Sequence, residues 1–391
     1  MNNFEKRAEI LGIAPDKAFA GKITVNTLDQ LKELLNISGM PPSAEAVSKA
    51  APSDAADASQ SVAHAVARHV YGAAPLSDAD LALAQSAFPL QLNVVSQPDK
   101  TINSEWNLNE ISPDGPIVVS LGTLTIEDGG YIVVSNRALD FTVDTLVRNG
   151  SAAPGNDMGI FNILGITGAA GTPGDTPTAP GQATNGKPGN CSSAGIAGDS
   201  GGNGTTGTLG SAGGPGGAGG LGKPSLAATI RITTAVQSAT ALSVVTQSGA
   251  GGQGGAGGTG SKGGQGGNGG NGATCGCTGS AGGSGAQGGT GGKGGPGGQG
   301  GNGVDAEGDI TIFAPSTALS LFQPIKKTAQ PGAGGAPGTG GAGGDGGSAG
   351  SGGKHNSGGS GGGTGGQGET GTPGVAGTIA GQPADILIQP A

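Results

Sequence analysis

The sequence predicts a composite fold: an N-terminal helical segment, an all-β base, and a glycine-rich, polyproline-II-like (polyglycine) bundle of about six arms in three hairpins. Three observations carry this reading. Gly supplies 89 of the 391 residues and lies almost entirely after residue 150. Within that region Gly recurs at every third position over long runs. Short β-branched runs stand before, between and after the glycine blocks. The expected boundaries are a helical attachment or linker region at 1–89, a β base at 90–164, and a glycine bundle at 165–383 inserted as three hairpins. Strands near 226–247, 308–325 and 384–389 complete the base.

The N-terminal region reads as helical. Thr27 with Gln30 resembles a capping box, Leu28, Leu31, Leu34 and Leu35 form one apolar face, and Gly39 and Pro41 end it. Residues 41–75 are Ala- and Ser-rich and read either as a linker or as a helix from about Ser53 to Tyr71, between Pro52 and Gly72, with His64 and His69 on its solvated surface. Ser77 can cap a further helix, running to Phe88. From Leu90 the period becomes that of strands, seen in Ile117–Val119, Thr123–Ile126, Tyr131–Val134 and Leu139–Val143, with Trp106 as a core anchor. The later runs Ile160–Ile166, Thr229–Val245, Asp309–Ile325 and Ile386–Ile388 are read as further strands of one base, which the glycine segments leave and rejoin.

The repeat is specific. From Gly251 to Gly272 every third residue is Gly, and a second register runs from Gly279 to Gly303. A third runs from Gly332 to Gly353 and, after a break at Asn356, from Gly359 to Gly377. The first block is looser, with Gly165–Gly174, Gly186–Gly189 and Gly195–Gly222 in one phase. Each block is interrupted near its middle: at Asn190-Cys191-Ser192-Ser193, at Thr274-Cys275-Gly276-Cys277-Thr278, and at Lys354-His355-Asn356-Ser357. A polyproline-II-like helix has three residues per turn and no internal hydrogen bonds, so a Gly column leaves one face bare for a neighbouring backbone. Gly-Gly-X triplets such as Gly266-Gly267-Asn268 bare two faces and leave X to solvent. Collagen would need far more than the 24 Pro present. A flexible linker has no reason to hold a phase over tens of residues. Arms of roughly 20–28 residues at about 3.1 Å each would span on the order of 60–85 Å, with the three interruptions together at the far end.

Such arms resemble the polyglycine-helix bundles of phage long-tail-fibre tip adhesins, and also the glycine-rich antifreeze proteins of snow fleas. The resemblance covers roughly residues 165–377. It implies a rigid bundle whose end loops meet a bacterial surface receptor. The matching positions are Asn190, Cys191, Ser192, Ser193, Thr274, Cys275, Cys277, Thr278, Lys354, His355, Asn356 and Ser357.

Composition excludes several function classes. A net charge of -9 without clustered Lys or Arg argues against a nucleic-acid partner. No stretch is long and apolar enough to insert into a membrane. The N-terminus, Met1 to Arg7, lacks the apolar core of a secretory signal, so an extracellular role implies release within an assembled particle, by lysis or by a signal-less export route. Three Cys lack the spacing of a zinc site. Gly358-Gly359-Ser360-Gly361-Gly362 has the spacing of a nucleophile elbow but no strand before it and no helix after it. The expectation is therefore a non-enzymatic protein without cofactors or metal: an adhesin or receptor-binding tip of a phage or phage-like particle, docked to its carrier through the N-terminal region. The alternatives are a structural spike or filament subunit without its own receptor, and an ice-binding protein. For ice binding, Ala333, Ala336, Thr339 and Ala342 make the best array, which Asp345 and Lys354 spoil. If the interruptions meet, Cys191 can bridge to Cys275 or Cys277; a Cys275–Cys277 bond and three free thiols are the alternatives.

Overall fold

The computed structural model describes residues 2–36, 77–86, 88–112, 114–150, 158–192 and 198–391. The chain opens with α1 (Asn3–Ile10), β1 (Phe19–Val25), α2 (Leu28–Asn36) and α3 (Asp78–Gln85). It then alternates between two sheets. The strands β2 (Leu90–Ile102), β4 (Ile117–Ile126), β6 (Leu139–Arg148), β8 (Leu226–Ser238), β12 (Glu307–Ala314) and β14 (Ile386–Pro390) lie side by side in one sheet, with β1 at its edge. Between them in sequence, β3 (Glu105–Asn107), β5 (Tyr131–Ser135), β7 (Phe161–Leu164), β9 (Leu242–Gln247) and β13 (Phe322–Lys327) form the other. All neighbours are parallel except β1, which runs antiparallel to β2. The alternation makes each pair of strands one rung of a two-sided β-solenoid.

In-register pairing stacks like residues from rung to rung. Val95, Val119, Phe141, Ile230, Ile312 and Ile388 pair in sequence across the larger sheet. All belong to one apolar core, which Phe141 and Phe161 close edge-to-face at 5.4 Å. Trp106 sits half-buried at its margin, 6.4 Å from Phe141. Burying such a ladder is the main stabilising term, at about 1.5–3 kcal/mol per large apolar side chain. The helices cover the outer surface of the same sheet, where Leu28, Leu31 and Leu34 of α2 pack with Leu92, Val94 and Val118. Arg7 of α1 is buried against the sheet, 2.9 Å from Asp144, with further bonds to Ser120 Oγ and the Leu121 carbonyl. Burial lowers the Arg7 pKa, and Asp144 opposes that shift.

These elements correct the expected fold class. The regular secondary structure is not a helical segment on an all-β base carrying a polyproline-II-like bundle. It is a mixed α/β arrangement of a seven-stranded mixed sheet, a five-stranded parallel sheet and short helices. Residues 1–89 are not a separate helical region, because Phe19–Val25 pairs with β2 along its whole length. The stretch from Ser53 to Tyr71, read as linker or helix and carrying His64 and His69, lies outside the described residues. The glycine segments form neither helix nor strand over nearly all their length. They are extended excursions, at 165–222 between β7 and β8, at 249–303 between β9 and β12, and at 329–381 between β13 and β14.

Backbone hydrogen bonds join the excursions into an array. Outgoing arms lie side by side: Gly168 donates to the Ala250 carbonyl at 2.9 Å and Gly254 to that of Ala333 at 2.9 Å. Returning arms do the same, as from Gly201 to Ala281 and from Gly285 to Ser360, each 2.9 Å. The two layers face each other antiparallel, with Gly255 donating to Gly217 and Gly289 to Gly264 at 2.8 Å. Both contacts repeat every third residue, apart from a gap in the first outgoing arm between Gly174 and Ala183. The arms are held by paired peptide groups, which cannot be left unpaired when buried.

Candidate functional site: the far end of the arms

Within a triplet the three amides have different fates. In Gln253-Gly254-Gly255, Gly254 donates within its layer and Gly255 across to the other layer. The N–H of the X residue projects from the array, and at several positions a side chain from the preceding arm caps it. Asn185 Oδ1 accepts from Asn268 N–H, and Asn268 Oδ1 from Ser348 N–H, both at 2.8 Å. Asn203 caps Ser284 at 2.8 Å and Asn271 caps Ser351 at 2.9 Å in the same way. These short polar residues therefore set the register between arms as well as coating the surface.

One irregularity has a clear cause. Every third residue of the second excursion's outgoing arm turns its Cα–H toward arm 165–190; a Cβ at Gly258 would strike the Asp175 carbonyl, and one at Gly267 that of Thr184. Position 261 in this column is Ser, 3% exposed, and its Oγ accepts from Ser211 N–H at 2.8 Å. Facing it, the regular bonds lapse between Gly174–Ala256 and Ala183–Gln265. There Pro177 and Pro180 stand where donors would be needed. The first arm bows around the Ser261 side chain with residues that have no N–H to lose.

The register carries all three interruptions to the end remote from the sheets. Gly189 donates to Asn271 at 2.8 Å, Gly272 to Ser351 at 2.8 Å, and Gly282 to Ser357 at 3.1 Å. Cys191 is bridged to Cys275, across 84 residues, with a Cα–Cα distance of 5.6 Å. Cys277 is free and exposed. The second interruption is a hairpin of β10 (Thr274–Cys275) and β11 (Thr278–Gly279), with Gly276 at φ 70° in the turn. Gly at the first central position is what a tight two-residue turn requires. The third interruption turns through His355 at φ 62°. It is tied to the second by Lys354 N–H on Thr274 Oγ1 at 3.2 Å and by Asn356 Nδ2 on the Gly279 carbonyl at 2.5 Å.

Asn190, Cys191, Ser192, Thr274, Cys275, Cys277, Thr278, Lys354, His355, Asn356 and Ser357 thus share one end, while Ser193 lies outside the described residues. A supporting residue that the sequence reading passed over is Ser280. It is 6% exposed, accepts from Ala273 N–H at 2.9 Å and donates to the Asp199 carbonyl at 2.6 Å, fastening the first excursion to the second. The signal was present: a Ser directly after Gly279, where the register restarts. The exposed surface offers small polar groups with Lys187, Lys354 and His355 as its basic side chains. Among the described residues, no group of three or more His, Cys, Asp or Glu is placed to hold a metal ion. The Ser360 spacing motif lies on extended returning backbone, with Ser360 N–H on Ser284 Oγ at 3.2 Å.

No protein-family model matches the chain, and no curated protein matches it. Among solved structures, the chain is similar to a springtail antifreeze protein from Granisotoma rainieri. That protein is described as a nine polyproline type II helical bundle whose crystal waters match the ice lattice. The similarity is 27% identity over 51% of this chain and 93% of that one, with a TM-score of 0.07. The resemblance to phage tail-fibre adhesins has no counterpart in these comparisons.

Proposed function

We propose that this chain is a non-enzymatic adhesin or receptor-binding tip protein of a phage or phage-like particle. In this reading the solenoid is the platform, the arms are a rigid spacer, and the three joined loops meet a cell surface. The observation that carries the reading is the convergence of three interruptions, distant in sequence, into one bridged and hydrogen-bonded end. The exposed Lys354-His355 turn gives that joined end a charged side chain to present. Particle attachment falls to the N-terminal region, and the surface receptor is expected to accept small hydrogen-bonding groups and one or two positive charges. Neither nucleic acid nor membrane insertion enters the reading. The test is adsorption of the purified protein to host cells. Changing Lys354 to Ala and His355 to Asn, which suits the positive φ there, while keeping the Asn356 tie to Gly279, should reduce binding several-fold with an unchanged thermal midpoint. Undiminished binding would remove this turn from the contact surface.

A second reading, ice binding, is favoured by one feature. Thr176, Thr259 and Thr339 align on adjacent outgoing arms, with Thr259 Oγ1 3.3 Å from Thr339 Oγ1. The next rows break the array, because Lys262 reaches Asp345 at 2.7 Å and leaves a charged pair on that face. Absence of thermal hysteresis in the purified protein would reject this reading.

A further inference from the structure

The third cysteine stands beside the bridge rather than apart from it. Cys275 and Cys277 flank Gly276 in the β10–β11 turn, so two Cα–Cα steps of 3.80 Å limit their separation to about 7.6 Å. Disulfide-bonded Cα atoms usually lie about 4.4–6.8 Å apart. The Cys275 sulfur is on a residue only 2% exposed, which shields it from thiols in solution. Cys277, exposed at the turn, is a free thiol two residues along the same hairpin from Cys275. Gly276, already at φ 70°, is the residue best able to absorb a change in turn geometry. Cys191, the other bridge partner, is exposed and belongs to a different excursion.

We propose that Cys277 is the internal exchange partner of the Cys191–Cys275 bridge, making the far end a thiol–disulfide switch. The Cys277 thiolate attacks Cys275 Sγ, a Cys275–Cys277 bond forms, and the Cys275–Cys191 bond breaks with its electron pair passing to Cys191 Sγ. The proton lost by Cys277 is balanced by the one that Cys191 takes up. No oxidant or reductant is consumed, and the step is reversible. The thiolate is the attacking form. Its consequence is mechanical. The covalent tie between the first and second excursions opens, while the third stays joined to the second through Thr274, Gly279, Lys354 and Asn356. The inference concerns the covalent state of this end and stands whether or not the end binds a cell surface.

The experiment follows bridge opening in the full-length protein under dilute dithiothreitol without oxygen. Samples are quenched in acid, alkylated and mapped as peptic peptides at low pH. The expected result is an early species with Cys191 alkylated and Cys275 linked to Cys277, and bridge opening several-fold slower in Cys277→Ser. Native-like thermal unfolding of that variant shows that the fold is intact. Equal opening rates in the two proteins, with no Cys275–Cys277 linkage at any time, would overturn the proposal.

Discussion

At Gly266 a single methyl group decides whether two arms can touch. A Cβ there would fall on the Ala286 carbonyl, whereas at Gly363, on the outer surface of the last arm, it would meet nothing within 4 Å. Gly266→Val should therefore destabilise the array by at least the roughly 1–3 kcal/mol typical of overpacking. Exposed Gln265→Ala should stay within about 0.5 kcal/mol of the parent. Chemical denaturation of the two variants compares them directly, and equal midpoints would refute close backbone approach. At Ser261 the prediction is milder, because Ser261→Ala removes only the acceptor for Ser211 N–H, a loss of about 1 kcal/mol. Arg7 lies at the other extreme. Arg7→Ala strands Asp144 beneath α1 with only Phe4 N–H and Thr233 Oγ1 as partners among the bonds described, each at 2.9 Å. Leaving a buried charge uncompensated costs about 3–5 kcal/mol. A denaturation midpoint equal to the parent would show that α1 is not held by this pair.

At the scale of elements, sequence and structure part company in an informative way. The three-residue Gly period is local, and it marks in the sequence which peptide groups approach neighbours. The interruptions were legible for the same reason, down to the residues that now share one end. The two-sheet solenoid was not, because its pairings are long-range. Phe141 stacks on Ile230, and Ile230 on Ile312, across whole excursions, so no window of sequence contains both partners. Nor could spacing place β1, whose FAGKITV run is short and ends in the Asn26-Thr27 entry to α2. Choosing between Cys275 and Cys277 as the partner of Cys191 needed the turn at Gly276, since the two differ by only two positions. The bridge closes an 84-residue separation, for which chain entropy gives about 4–5 kcal/mol. Cys191→Ser should lower the thermal midpoint by several degrees while leaving the β content unchanged by circular dichroism. No change in midpoint would mean that the arms' hydrogen bonds alone fix the first excursion.

Across the whole molecule, the two halves are stabilised by different physics. The solenoid buries aliphatic ladders; the arms bury almost nothing apolar and depend on peptide hydrogen bonds, each contributing about 0.5–1.5 kcal/mol net against about 1–2 kcal/mol per residue of backbone ordering. An array so poor in apolar burial gains from roots that are clamped and a far end that is joined. Roots are bridged at Ile166–Lys223 and Ala329–Gly381, and the far end by Cys191–Cys275. The central claim is that the arms are rigid because their amides are bonded to neighbouring arms at nearly every triplet, two of every three in the central excursion, 249–303, with the third facing outward. Residue-resolved amide hydrogen exchange by NMR tests it most directly. The account predicts strong protection at Gly254, Gly255, Gly266 and Gly267, near-coil exchange at Gln253 and Gln265, and restored protection at Asn268, where Asn185 caps the outward amide. Uniform rates across each triplet, with Asn268 no slower than Gln253, would contradict it.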